Sequence, residues 1–158
     1  MKKLEIESVP YQRRRVLLSA IYDGERVGSL DYLPPLRANL SYALGLLRVK
    51  PEYQGLGVAK SILTEFTKRS GVKAEVSATV THDETLDYLE DHDPNQLRDK
   101  REVLLITDPE EINGIPIARV LAAGNIKVTK FRVVYNSRQV QLSSGNIIYV
   151  ARLKGITR

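Results

Sequence analysis

The run Gln54-Gly55-Leu56-Gly57-Val58-Ala59 is where residue types and spacing in this chain point to one chemistry. Two glycines without Cβ atoms let a backbone come close to a ligand and take up positive φ where a turn demands it. If a strand ends at Val49 and a helix begins near Val58, the N–H groups of residues 54–59 are left unpaired at the positive end of a helix dipole. A row of donors in that position takes phosphate oxygens. The small Ala59 lets the helix start lie against such a ligand. The competing reading is a tight strand-to-helix turn with no ligand.

His82 is the best candidate for handling a proton, because an unperturbed imidazole titrates near pH 6.5. It follows an alternating stretch, Ala74 to Thr81, and so falls at the expected end of a strand. The plainer alternative is an exposed or capping histidine ahead of Asp83. His92 lies among acids and reads as solvated. Tyr42, Tyr135 and Tyr149 fall in expected strands and read first as core or edge aromatics.

Composition narrows the field. A chain of 158 residues, 42% hydrophobic and 27% charged, suits one soluble globular domain with a single core. It contains no cysteine, which excludes disulfides, thiolate catalysis and cysteine-ligated metal, and agrees with a reducing cytoplasm. With two histidines in the chain, a multi-histidine metal site is not expected. Apolar runs are too short to span a bilayer and the N-terminus has no long apolar stretch of a signal peptide, so no membrane partner is expected.

The net charge of +5 is uneven. Asp83, Glu84, Asp87, Glu90, Asp91 and Asp93 form an acidic block. Beyond Glu111 no acid occurs, while Arg119, Lys127, Lys130, Arg132, Arg138, Arg152, Lys154 and Arg158 are all basic. An anion-attracting surface and a separate cation-attracting surface are both compatible with that pattern, as are plain solvated faces.

The elements that must position these residues read as mixed α/β. Arg14 to Tyr22 and Arg26 to Leu33 form a hairpin across Asp23-Gly24, and Pro34-Pro35 breaks it. Leu40 to Val49 is too continuously apolar for a strand with one wet face, which places it centrally in a sheet. Val58 to Arg69 is an amphipathic helix closed by Gly71. Ala74 to Thr81 returns as a strand, completing a strand–helix–strand unit. A short helix over Glu84–Glu90 follows, then a polar connection through Pro94 and a strand or buried segment from Glu102 to Thr107. Asp108-Pro109-Glu110-Glu111 has the form of a helix start, and Pro116 to Ala123 resumes as helix. The last third is β: Val128 to Tyr135, Arg138 to Leu142 and Ile147 to Leu153, with turns at Asn136-Ser137 and Ser143–Asn146.

Gln54, Gly57 and Ala59 match the pattern Gln/Arg-x-x-Gly-x-Gly/Ala, which resembles the acyl-CoA motif of the GNAT superfamily of N-acyltransferases. Leu47-Arg48-Val49 looks like the end of that family's fourth strand, and Val58–Arg69 like its third helix. The resemblance spans residues 15–82, and more loosely 115–153. It implies a single GNAT-like domain over 1–158, a central mixed sheet flanked by a few helices, and acetyl-CoA as acyl donor. Carried over, the pyrophosphate falls to Gln54, Gly55, Leu56, Gly57, Val58 and Ala59, and the pantetheine arm to the backbone of Leu47 and Val49. The implied reaction moves an acetyl group to a primary amine, with the acceptor open between a small amine, a protein and an aminoacyl-tRNA. His82 is then the candidate general base, and Tyr42, Tyr135 or Tyr149 could reach the sulfur.

The match is incomplete. Where the family often places a catalytic Tyr stands Val120, and where some members use a Glu stands Ala43. Residues 1–14 are too few for the two substrate-covering helices common near the family's N-terminus. An alternative follows from these gaps: a catalytically inactive GNAT-like module that acts on nucleic acid through its basic C-terminal third. Arg13-Arg14-Arg15 is a further candidate for a 3′-phosphate or an RNA backbone. A homodimer is also compatible, since the family's last strand often joins a partner's sheet.

Overall fold

Period-2 and period-3.6 patterns along the chain resolve into eight strands and four α-helices in a computed structural model that describes residues 3–37, 40–91, 103–135 and 149–158. The strands are β1 (Leu4–Tyr11), β2 (Arg15–Tyr22), β3 (Glu25–Leu33), β4 (Tyr42–Val49), β5 (Glu75–Thr79), β6 (Val103–Ile106), β7 (Ile126–Tyr135) and β8 (Tyr149–Thr157). The helices are α1 (Val58–Ser70), α2 (Asp83–Asp91), α3 (Pro109–Asn113) and α4 (Pro116–Ala123). One sheet holds all the strands in the order β1-β2-β3-β4-β5-β8-β7-β6. Neighbours are antiparallel except β4 and β5, which run parallel on either side of α1 in the chain.

The hairpin, the central strand, the helix after the glycine turn and the strand after that helix are where the sequence places them. β1 is an addition. It pairs along its length with β2, from Leu4 opposite Tyr22 to Tyr11 opposite Arg15. The expected strand Arg138–Leu142, both turns of the last third, the connection through Pro94 and His92 lie outside the described residues. β8 sits between β5 and β7, so both its edges are paired within the chain and the free edges of the sheet belong to β1 and β6.

α1 explains one layer of the core. Val58, Ile62, Leu63 and Phe66 recur at helical spacing and are all buried. Phe66 meets the ring of Tyr32 edge-on at 4.9 Å and that of Tyr42 at 5.5 Å. At the other end of this layer, Thr67 Oγ1 donates between the carbonyls of Leu63 and Gly124, tying α1 to the end of α4. Cross-strand register puts Leu18, Leu30, Leu44, Val76, Leu153 and Phe131 on this same side of the sheet, where they are buried. Helices α1 and α4 pack against it, and α2 and α3 pack against α4. Among the described residues no helix covers the opposite side.

Between β3 and β4 the register slips. Leu30 lies opposite Leu47 and Tyr32 opposite Leu44, so Asp31 alone faces Gly45 and Leu46. Asp31 Oδ1 accepts the Leu46 N–H at 2.9 Å, while Oδ2 accepts from Arg15 Nε at 2.8 Å. Gly45 is required here by space. A Cβ at that position would overlap Asp31 Oδ2 and lie 2.6 Å from Arg15 Nη2. The bulge bends β4 where its pairing with β5 stops.

Candidate active site

β4 pairs with β5 only through its first three residues: Tyr42 with Val76, Ala43 with Ser77, and Leu44 with Ala78. From Gly45 to Val49, β4 has no strand beside it on that side among the described residues. The gap opens into a cavity of ≈ 660 Å³, lined among others by Gly45, Leu47, Val49, Gly57, Ala59 and His82.

The glycine turn forms one wall. Lys50 leads into a short 3₁₀ turn at Pro51–Tyr53, whose Tyr53 ring packs edge-on against Tyr22. Gln54 Nε2 donates back to the Val49 carbonyl at 3.2 Å, which holds the turn against the end of β4. Gly55 and Gly57 have φ of 80° and 84°, a region side chains rarely enter. Gly57 then caps α1, its carbonyl accepting from the Ser61 N–H. The N–H groups of residues 55–60 have no acceptor among the described residues. These donors, with the Lys60 side chain beside them, form an anion cradle. Lys50 is engaged elsewhere: its hydrogen bond to Glu25 holds its ammonium pKa above the usual lysine value.

The opposite wall comes from β5, the start of α2, and α4. His82 is the residue before α2, and its carbonyl accepts the Leu86 N–H. Its Nδ1 lies 2.9 Å from the hydroxyl of Thr85, which is fully buried and also accepts the Ile117 N–H at 2.9 Å. A threonine hydroxyl has one proton to give. With the Ile117 N–H on one lone pair, the acceptor available to that proton among the described residues is His82 Nδ1. In the tautomer of the neutral ring that carries its proton on Nε2, Nδ1 accepts the threonine proton. Asp83 and Glu84, the first acids of the acidic block, also line this wall, at the helix end that favours negative charge.

The expected site residues thus converge on one cavity: Leu47, Val49, Gln54, Gly55, Gly57, Val58, Ala59 and His82 all line it. Leu56 is 70% exposed at the tip of the turn, so only its backbone belongs to the cradle. Val120 lines the cavity and supplies no proton, whereas Ala43, opposite Ser77, does not line it. Tyr42 is spent on Phe66 and Tyr32. The side chains of Tyr135 and Tyr149 lie outside the described residues. Arg13, Arg14 and Arg15 are not near the cradle. They sit at the end of the sheet where β1 turns into β2, opposite to the end of β4 that leads into the cradle, and Arg15 reaches only as far as Asp31 beside Gly45. Thr85 carries no signal at the level of sequence, because a buried threonine in a short helix has no pattern of its own.

No helix among the described residues is long and apolar enough to cross a membrane. Among the described residues no cluster of His, Cys, Asp or Glu could hold a metal ion.

No protein-family model matches the sequence, and no curated protein is significantly similar to it. Among solved structures, the fold is similar to that of an IAA acetyltransferase from Bacillus cereus ATCC 14579. That protein is 14% identical, the match covers 98% of this chain and 99% of the other, and the TM-score is 0.54. An acetyltransferase of the GNAT family from Streptococcus pneumoniae (10% identity, 90% and 67% coverage, TM-score 0.43) also matches. So does an aminoglycoside 6'-N-acetyltransferase complexed with coenzyme A (13% identity, 92% and 74% coverage, TM-score 0.44). These two superpose too loosely to carry weight. What the first match establishes is the architecture alone: over nearly its whole length this chain shares the mixed α/β fold of that protein.

Proposed function

We propose that the protein is an acyl-CoA-dependent N-acyltransferase, taking an acetyl group from acetyl-CoA to a primary amine. The observation that carries this reading is the coincidence of the unpaired N–H row at residues 55–60 with the open β4 edge, on one cavity. The cradle fits a pyrophosphate, and the free edge from Gly45 to Val49 fits the amide groups of a pantetheine arm. The donor, when bound, supplies a thioester whose carbonyl an amine can attack.

The chain's own groups have three tasks around that bond. The cradle and the β4 edge hold the donor in place, and much of a rate enhancement can come from such positioning alone. Asp83 and Glu84 draw a cationic amine to the mouth. The amine gives one proton to water before its neutral form attacks; the second, lost as the amide forms and the C–S bond breaks, goes to the departing CoA thiolate. His82, with Nε2–H as its free donor, is oriented by Thr85 to give a hydrogen bond to the oxygen or sulfur on which charge develops. That role fits the hydrogen bonds better than general base, since a basic Nε2 would leave the buried Thr85 proton without an acceptor.

Isothermal titration with acetyl-CoA and CoA tests the donor site directly. Saturable binding with one site per chain is expected, and no heat at millimolar ligand overturns the reading. A thiol-release assay across amines then separates catalysis from binding.

A further inference from the structure

The side of the sheet away from the helices carries a concentration of positive charge with no role in the cavity. Register fixes which residues share it. Thr79, Arg152 and Arg132 lie in one cross-strand row, and Ser77, Lys154 and Lys130 in the next. Lys127 follows, opposite Ile156 and in the row of Glu75. The alternate residues Phe131, Val133, Ala151 and Leu153 are buried on the helix side, so these cations all point the other way. Arg48 on β4, opposite Ser29, faces the same way across the gap.

Two features make this more than a solvated face. Lys130 stands directly opposite Lys154, and Arg132 directly opposite Arg152. Side chains so placed have Cβ atoms about 5 Å apart, and like charges there destabilise the sheet. Nor do they find acids: the ion pairs among the described residues are Arg15–Asp31, Lys50–Glu25 and Arg69–Glu65, none of them here. Glu75 is the acid on these rows, at the end away from the cavity.

We propose that this face is a docking surface for a nucleic-acid strand, whose phosphates lie along Lys130, Arg132, Arg152 and Lys154. Successive cations on one strand face are about 6.7 Å apart, and neighbouring strands about 4.8 Å, so the four form a compact block of positive potential. No aromatic side chain shares the rows, so contact is to phosphate and does not read sequence. The row through Arg152 begins at Thr79, which lines the cavity. A strand docked here lies beside one residue of the cavity wall. If the acyl-transfer reading also holds, the amine acceptor is carried by this nucleic acid; docking itself does not depend on that reading.

The test is fluorescence anisotropy with a labelled single-stranded RNA of ~20 nucleotides and the full chain, without CoA, as salt is raised. Four phosphate contacts predict a slope of log K against log salt of about −3, or about 50-fold weaker binding between 50 and 200 mM salt. The double variant Arg132→Gln/Arg152→Gln removes cations without adding bulk and relieves one like-charge pair. It is expected to keep its melting temperature and its CoA affinity, to bind RNA at least about tenfold more weakly at 50 mM salt, and to show about half the slope. Absence of RNA binding at low salt, or equal binding by the folded double variant, overturns the proposal. Displacement of the RNA by an equally charged acidic peptide at equal concentration also overturns it, and assigns the face to an acidic protein. Failure of CoA titration alongside intact RNA binding removes the acyl-transfer reading and leaves this one standing.

Discussion

Gly57 does two jobs with one backbone conformation. Its φ of 84° turns the chain into α1, and its missing side chain leaves the N–H row open. A Cβ there meets nothing within 4 Å, so Gly57→Val is disfavoured by conformation rather than by collision. A left-handed non-glycine residue costs about 1–2 kcal/mol. The variant is therefore expected to fold with a modestly lowered melting temperature while CoA binding measured by calorimetry falls at least about tenfold, which is about 1.4 kcal/mol. His82 and Thr85 make a second pair at this scale. His82→Ala is expected to lower the rate of acyl transfer by about 100-fold with little change in CoA affinity. Thr85→Val leaves both His82 Nδ1 and the Ile117 N–H unpartnered, and removing that hydroxyl costs about 1–3 kcal/mol in a denaturant melt. Tyr32 adds a pH prediction. Burial beside Phe66 raises its phenol above the ordinary value of 10.0. The folded state thus holds the proton more tightly than the unfolded chain, so this contribution is intact below pH 10 and is lost as pH rises through the raised value. Tyr32→Phe should flatten the alkaline fall in stability, as followed by circular dichroism.

At the scale of elements, the decisive feature is the bulge that parts β4 from β5. Asp31 holds it from one side, through the Leu46 N–H and Arg15. Asp31→Ala removes an acceptor from the Leu46 N–H and a partner from the half-buried Arg15, so a loss of about 1–3 kcal/mol is expected in urea unfolding. Acyl transfer should fall with it, since the strand that holds the donor loses its bend; unchanged activity at reduced stability would detach the bulge from the site. The bulge was not legible in the sequence. Leu40 to Val49 reads as one apolar run, and its centrality in the sheet is correct, but Leu46, at 42% exposure, faces the uncovered side. β1 was missed for a related reason. It is an edge strand whose residues are largely exposed, and Pro10 within it argues against strand. The amphipathic α1 and the Asp23-Gly24 hairpin were legible, because helical periodicity and turn chemistry are local.

For the whole molecule, placing every described helix on one side of the sheet divides it into a helix-covered side and a bare side. A ligand that binds only the folded chain stabilises it by mass action, by about 2.7 kcal/mol at one hundred times its dissociation constant. Acetyl-CoA is accordingly expected to raise the melting temperature in differential scanning fluorimetry, and Gly57→Val to cut the rise to about half or less at the same ligand concentration.

The sequence by itself determined the glycine turn, the strand and helix on either side of it, and the mixed α/β class, because each of these is written in neighbouring residues. Only the tertiary structure decided the rest. It opened β4 from β5, set His82 against Thr85, removed Arg13–Arg15 from the phosphate end, and gathered Lys130, Arg132, Arg152 and Lys154 on one face. The physical reason is that these relations join residues far apart in the chain, through strand register and helix packing that no local pattern encodes.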